Sequence, residues 1–379
     1  MSKVFHAREI GRLVEEIDAF GGPNKPAMAA YTNEFILEYE TEIDQTLDPF
    51  SEAYVSQQLA LYREIVGRDP DPVDTEQYKI AVKLHAAAAH PLNDRNLSVT
   101  AKHMAAISNV IALAGLPHAA RVLDLGCGWG QTSEILAYCG AEVVAVDINP
   151  LFVDLVRQRA KRLGLPITAE VGTFEGFSSA EPFDMVFYYE CLHHAIRPWV
   201  ALEFAARHVK PEGLIAFAGE PLNALWWKHW GLRLDAISVY CIRKYGWFES
   251  GWSAEFLIAC FERAGFVLRL HPGLGIEGSQ VGIADRTGTI KRVSAFDRYV
   301  SSMEKFIGDL HAANANPPDE VGPESETDAS QRDALCLSLD SAVGPSTPPA
   351  LPEQTGTLSG EFDSPGSALR DPKGMGVDV

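Results

Sequence analysis

Apolar positions along this chain change period near residue 120. Before it, Ile10, Leu13, Val14 and Ile17 recur at three- and four-residue spacing, which places them on one face of a helix. Tyr54–Ile65, Lys79–Ala89 and Val99–Ala114 repeat that spacing. Pro91-Leu92-Asn93-Asp94 forms the turn between the last two, and Pro70 and Pro72 mark another loop. After residue 120, short runs of branched residues alternate with amphipathic helices. The runs are Arg121–Leu125, Glu142–Val146, Ile167–Val171, Met185–Tyr188, Leu214–Ala218, Phe266–Leu270 and Gln280–Ala284. The helices begin at Gln131 and span Phe152–Leu163, Trp199–His208 and Ala254–Ala264. Strands and helices in alternation predict an α/β fold with a parallel sheet covered on both faces. Three regions follow: a helical cap or substrate-binding region over 1–119, a sheet domain over 120–316 with an insertion at 222–252, and a tail over 317–379. No internal repeat is evident.

Composition sharpens the last boundary. From Pro317 to Val379 the chain holds 9 Pro, 7 Gly and 8 Ser, with 12 acidic residues against 3 basic ones. This stretch supplies -9 of the net charge of -19, and a disordered tail is expected because it cannot bury enough apolar surface. It is either solubilising or a docking segment for a protein partner. The acidic balance argues against a general nucleic-acid binder, which needs a clustered basic surface. The charged N-terminus does not read as a secretory signal, and no run of 18 uncharged apolar residues predicts a membrane span. Six cysteines without a C-x-x-C pair predict neither a disulfide scaffold nor a zinc site. A reduced cytoplasmic protein without a bound metal is the expectation, with homo-oligomerisation left open.

The strand Val122-Leu123-Asp124-Leu125 runs straight into Gly126-Cys127-Gly128-Trp129-Gly130, and a helix follows. Glycines there permit a tight turn and close approach of a ligand to the backbone, and the helix N-terminus favours an anionic group. Asp147 ends the next strand, 21 residues after Gly126, where a carboxylate accepts hydrogen bonds from a ribose diol. The run is neither the dinucleotide fingerprint G-x-G-x-x-G nor a G-K-[ST] phosphate loop.

VLDLGCGWG followed by VVAVDINP resembles the class I, Rossmann-like S-adenosylmethionine-dependent methyltransferases, over about Ala120 to Leu270. Two further blocks carry the likeness: Glu181-Pro182-Phe183-Asp184 running through MVFYY into Glu190-Cys191-Leu192-His193-His194, and Val209 to Pro221. The resemblance implies a seven-stranded sheet of order 3-2-1-4-5-7-6, binding S-adenosylmethionine and releasing S-adenosylhomocysteine. By the same likeness, Asp124 and the backbone of Gly126, Gly128 and Gly130 hold the amino-acid end of the cofactor. Asp147 binds the ribose, and Ile148 packs on the adenine. Thr173 stands where an acidic residue is usual, and Phe174 offers its amide or an apolar contact. Cys127, Thr132, Tyr189 and Glu190 complete the expected cofactor contacts.

Methyl transfer is an in-line displacement, so the enzyme chiefly aligns a nucleophile and excludes water. A hydroxyl acceptor also needs a base, and histidine serves near neutral pH. His193 and His194 follow the fourth strand at the ligand edge of the sheet, as candidate base or as residues that shape the loop. Glu190 orients a histidine, contacts substrate or caps the next helix. Glu220, just past the fifth strand, accepts a hydroxyl, orients a base or serves as a cap. The 222–252 insertion is rich in aromatic and charged residues, with Trp226, Trp230, Arg233, Arg243, Tyr245 and Trp247 as candidate acceptor contacts. Tyr54, Gln57 and His90 add candidates from the N-terminal region. The plainer reading is a packing seam against the cap or another subunit. The leading expectation is O-methylation of a polar small molecule or saccharide, with a weak likeness to enzymes of bacterial cell-surface glycan pathways. N-methylation, lipid modification resembling cyclopropane fatty-acid synthases, and a non-catalytic cofactor-binding scaffold are the alternatives.

Overall fold

The computed structural model describes residues 3–288, apart from 24, 26–27, 29–30, 32–33, 72–75, 93–95, 223–224 and 274–279. The tail predicted from residue 317, Cys336, Pro72 of the predicted loop, and Asn93 and Asp94 of the predicted turn lie outside the described residues.

At the centre of the main sheet is β3 (Arg121–Leu125), parallel to both β4 (Glu142–Asp147) and β6 (Phe183–Tyr189). On one side β4 pairs with β5 (Ile167–Val171); on the other β6 pairs with β7 (Val209–Ala218). Beyond β7 lies the antiparallel β11 (Gln280–Asp285), then β10 (Val267–Pro272) at the edge. Counted from β3, the order is 3-2-1-4-5-7-6, as the resemblance implied. Val122, Leu123, Leu125, Met185, Val186 and Phe187 are all buried, because central parallel strands lose both faces to helices. The chain steps from β3 to β4 and β5 on one side and then crosses over to β6 on the other, which opens a crevice at the carboxyl ends of β3 and its neighbours.

The helices are α1 (Ile10–Ala19), α2 (Glu52–Val66), α3 (Val82–Ala87), α4 (Leu97–Ala114), α5 (Gln131–Tyr138), α6 (Pro150–Leu163), α7 (Pro198–Ala206), α8 (Ala236–Tyr245) and α9 (Ala254–Arg263). On one face of the sheet, Ile107, Val110 and Leu113 of α4 join a core with β7, β11 and α5. Thus α4 serves the sheet, although it lies in the region read as the cap. Among the described helices only α4 is long and apolar enough to cross a bilayer, and this inner side is packed.

The N-terminal region is not purely helical. Lys3–His6 (β1) pairs in parallel with Phe35–Glu38 (β2). Four-residue strands are too short for alternation to register, and their pairing is non-local, so the helical expectation missed them. Phe5 of β1 and Leu37 of β2 are buried, and both enter a core shared with Leu13 and Ile17 of α1.

The insertion forms a second small pair, β8 (Trp230–Leu232) antiparallel to β9 (Ser250–Trp252), with α8 between them. It packs on the N-terminal region through α1 and α2. Trp230 and Trp252 are fully buried, and the Tyr54 hydroxyl donates to the Trp230 carbonyl at 2.7 Å. Tyr62 donates to the Gly246 carbonyl at 2.6 Å, and Tyr240 to Asp18 at 2.7 Å.

Candidate functional site

A cleft of about 540 Å³ opens at the carboxyl ends of β3, β4 and β6. Gly126, Gly128, Asp147, Ile148, Thr173 and Phe174 form one part of its wall; Glu190, His194 and Trp247 form another.

The glycine loop is tied to β4 by Asp147. This carboxylate accepts the Gly128 N–H and the Asn149 N–H, each at 2.8 Å. Burial pushes its pKa up to about 6, against the pull of those two donors. Gly126 has φ +71°, and a Cβ there would lie 2.8 Å from both Cβ and Sγ of Cys191. Gly128 has φ +47°, and its missing side chain leaves open space over the loop. Any larger residue would fill the cradle. Asp124 is buried in β3; Ser133 donates to its Oδ2, while Oδ1 has no hydrogen-bond partner among the described residues. Burial raises the Asp124 pKa to about 7. An orphaned buried carboxylate oxygen, an open backbone cradle and an acid ending the next strand fit a ligand with an ammonium group and a vicinal diol. Cys127, Gly130 and Thr132 are buried in the loop and the first turn of α5, behind the cleft wall.

Glu190 follows β6 directly, in the left-handed region at φ +49°. That conformation costs a non-glycine residue about 1–3 kcal/mol. It is held by the Glu190 N–H donating to the Ala218 carbonyl at 3.0 Å. It is also admitted by Gly219, where a Cβ would overlap the Glu190 side chain. Burial raises the Glu190 pKa to about 7. Tyr189 packs against the α4 core, and its hydroxyl lies 2.7 Å from His103 Nδ1, which in turn stands 3.6 Å from Glu190 Oε2. Tyr189 is not part of the cleft wall.

Leu192–His194 is a single 3-10 turn. Its amides are gathered by Glu220, which accepts from the N–H groups of Cys191 (3.0 Å), Leu192 (2.9 Å) and His193 (3.1 Å). The same carboxylate lies 2.9 Å from His193 Nδ1. Capping and orienting are therefore one arrangement at Glu220. Burial would lower the His193 pKa, but Glu220 and Glu249 more than offset it and the net shift is upward. His194 is driven the other way, well below its ordinary value, by burial and by the positive charge of His193 and Arg233. His193 lies behind the wall; His194 is part of it.

Most acceptor candidates of the insertion hold protein instead. Trp230 donates to the Pro49 carbonyl at 2.8 Å, and Arg243 to the carbonyls of Ile65 (3.2 Å) and Val66 (2.6 Å). Arg233 pairs with Asp235 at 3.2 Å and approaches Glu249 at 3.9 Å. Trp226 packs on the core, with its carbonyl 3.4 Å from Gln45 Nε2. Gln57 bonds to Asp44, Tyr54 is fully buried, and His90 is half-buried away from the cleft. Tyr245 stands behind Trp247, ring centroids 4.9 Å apart. Of these candidates only Trp247 reaches the wall.

The fold also contributes wall residues that no motif marked. Glu76 accepts the Phe248 N–H at 2.9 Å, and burial lifts its pKa to about 8. Tyr78 sits among Trp129, Tyr245 and Trp247, with ring centroids 6.2, 5.8 and 6.1 Å away. Both lie in irregular chain without periodicity, so only tertiary contacts reveal them.

Residues 123–217 match the methyltransferase-domain family. A ubiquinone biosynthesis O-methyltransferase of Xanthomonas euvesicatoria pv. vesicatoria is 36% identical over 109 residues, covering 28% of this chain and 44% of that protein. The Cereibacter sphaeroides (strain ATCC 17029) protein of the same name is 31% identical over 153 residues, covering 37% and 62%. The chain thus spans about half the length of these relatives. The magnesium protoporphyrin IX methyltransferase of Synechocystis PCC 6803 aligns over 54% of this chain and 93% of its own, at 17% identity and a TM-score of 0.40. With the matched motifs lying on the cleft, residues 123–217 carry a methyltransferase domain on a sheet of Rossmann-like strand order.

Proposed function

We propose that the protein methylates a hydroxyl oxygen of a ring-bearing small molecule, with Glu190 as proton acceptor. The observation that supports this most is shared geography: the cradle of Gly128 and Asp147 and the strained, partly buried Glu190 line one cleft. When bound, S-adenosylmethionine supplies an electrophilic methyl group on its sulfonium. Asp147 would hold it through the ribose and the backbone at Gly126 and Gly128 through its amino-acid end, with Asp124 buried behind them. Glu190 takes the acceptor's proton, and its pKa of about 7 suits that work near neutrality. Tyr78 and Trp247 exclude water and offer flat faces to a ring. The names of the relatives support oxygen as the acceptor atom. A saccharide has less support, because Arg233 and Arg243 are occupied by protein partners. His193 is also less suited as base, since both ring nitrogens face carboxylates and it lies behind the wall.

Radiolabelled methyl transfer to phenolic, saccharide and amine acceptors tests the reading. Transfer to phenolic hydroxyls is expected, and transfer to amines alone would overturn it. Glu190→Gln should lower kcat by roughly 10²-fold, with S-adenosylhomocysteine affinity nearly unchanged. An unchanged kcat removes Glu190 as the base.

Cofactor affinity should also depend on pH through Asp147. Above about pH 6 this group is ionised and accepts the ribose hydroxyls; below it, protonation removes an acceptor. Calorimetric affinity for S-adenosylhomocysteine should therefore weaken between pH 7 and pH 5, approaching about tenfold per unit below that pKa. Asp147→Asn should flatten the slope.

A further inference from the structure

At and just behind the cleft wall, His193, His194 and Glu249 each bring one potential ligand atom within 4.8 Å of the others. We propose that these three residues bind a divalent first-row transition metal, with an open coordination position on the cleft side. The site stands independently of the methyltransferase reading; only its use by an acceptor oxygen rests on that reading.

Three features carry the assignment. The first is the support of His193. Its Nδ1 faces Glu220 at 2.9 Å, and Glu220 is fixed by three backbone amides. A carboxylate holding one imidazole nitrogen, so that the other presents its lone pair, is the usual support of a metal-bound histidine. His193 Nε2 then faces Glu249 Oε2 at 3.5 Å, without a hydrogen bond between them. Tetrahedral ligands at about 2.0–2.1 Å from zinc stand about 3.3 Å apart, so this pair admits an ion, and the His194 atom, within 4.8 Å of both, has to draw in to complete the set.

The second is His194. Its Nδ1 is buried without a hydrogen-bond partner among the described residues, and lies 3.4 Å from Glu76 Oε2. A buried ring nitrogen with no donor or acceptor is costly unless something is bound to it. The third is charge. Glu220 and Glu249 are 2% and 6% exposed. The nearest fixed cation, Arg233, is already shared with Asp235. Buried carboxylates in excess of cations draw a counter-ion.

Two imidazoles and one carboxylate favour zinc, iron or cobalt over magnesium or calcium, and three protein ligands leave a position free. His194 belongs to the cleft wall, so an acceptor oxygen entering the cleft completes the set. No local motif announces the site, because Glu249 follows His194 by 55 residues.

Chelator-treated, tag-free full-length protein should be titrated with Co²⁺ and followed by visible absorption, with bound metal counted by mass spectrometry. One Co²⁺ per chain with a tetrahedral d–d spectrum is expected, displaced by Zn²⁺. Glu249→Gln and His194→Ala should each weaken Co²⁺ binding at least about tenfold. S-adenosylhomocysteine binding, measured on the same samples, reports that the variants are folded. Absence of stoichiometric metal in the wild type, or unchanged binding in both variants, overturns the site and leaves His193 as an imidazolium between two carboxylates. Failure of S-adenosylhomocysteine to bind the wild type would instead overturn the methyltransferase reading and leave the metal result intact.

Discussion

Replacing Asp147 with alanine is expected to weaken S-adenosylhomocysteine binding by about 10²–10⁴-fold. On the proposed reading the carboxylate accepts two ribose hydroxyls, and hydrogen bonds to a charged group contribute about 1.5–3 kcal/mol each. The substitution also releases the Gly128 and Asn149 amides, both now held at 2.8 Å. The glycine loop would lose its tie to β4, so cradle and ribose site fail together. Asp147→Asn retains one oxygen acceptor and should lose less. Calorimetry on both variants, with circular dichroism to confirm folding, checks this. Wild-type affinity in the alanine variant would remove Asp147 from the ribose site.

The second large effect is on stability. Arg159 of α6 is completely buried, and its guanidinium forks onto Glu134 of α5, which is 17% exposed. The same group donates to the carbonyls of His85 (2.9 Å), Ala88 (2.8 Å) and Ala89 (3.3 Å) at the end of α3. One side chain thus joins two sheet helices to the N-terminal region. Arg159→Met keeps much of the volume but leaves a carboxylate and three carbonyls without their donor. A loss of about 3–5 kcal/mol is expected. This corresponds to a Tm lower by roughly 6–15 °C. The double variant with Glu134→Leu should recover part of it, because the stranded charge is gone. A single variant within about 1 °C of the wild type, by calorimetry, would show that the fork contributes little. His85 packs on Trp129 of the glycine loop, ring centroids 4.7 Å apart, so cofactor affinity should fall as well.

Site legibility followed the range of the interactions involved. Asp147, Ile148 and Gly128 could be read because a glycine turn, a helix start and a strand-terminal acid all lie within a short stretch of sequence. Glu190 and His194 were placed at the cleft because the end of a central parallel strand is a ligand edge wherever such sheets occur. Tyr54 and Trp230 misled for a physical reason: a large amphipathic side chain suits a pocket wall and a buried seam equally. Only partners show which, and here each donates to a backbone carbonyl.

What the sequence determined by itself was the alternation of strands and helices and the ligand edge of the sheet, since period, turn glycines and terminal acids are local signals; the strand order was implied by the resemblance that those motifs carry. What only the tertiary structure decided was the far wall of the cleft and what stands behind it. Glu76, Tyr78, Trp247 and Glu249 come from irregular chain and an insertion, far from the strand ends they face. Their positions depend on how the insertion packs on the N-terminal region, and burial and desolvation, which set the chemistry of Glu190, His193 and His194, exist only after that packing forms.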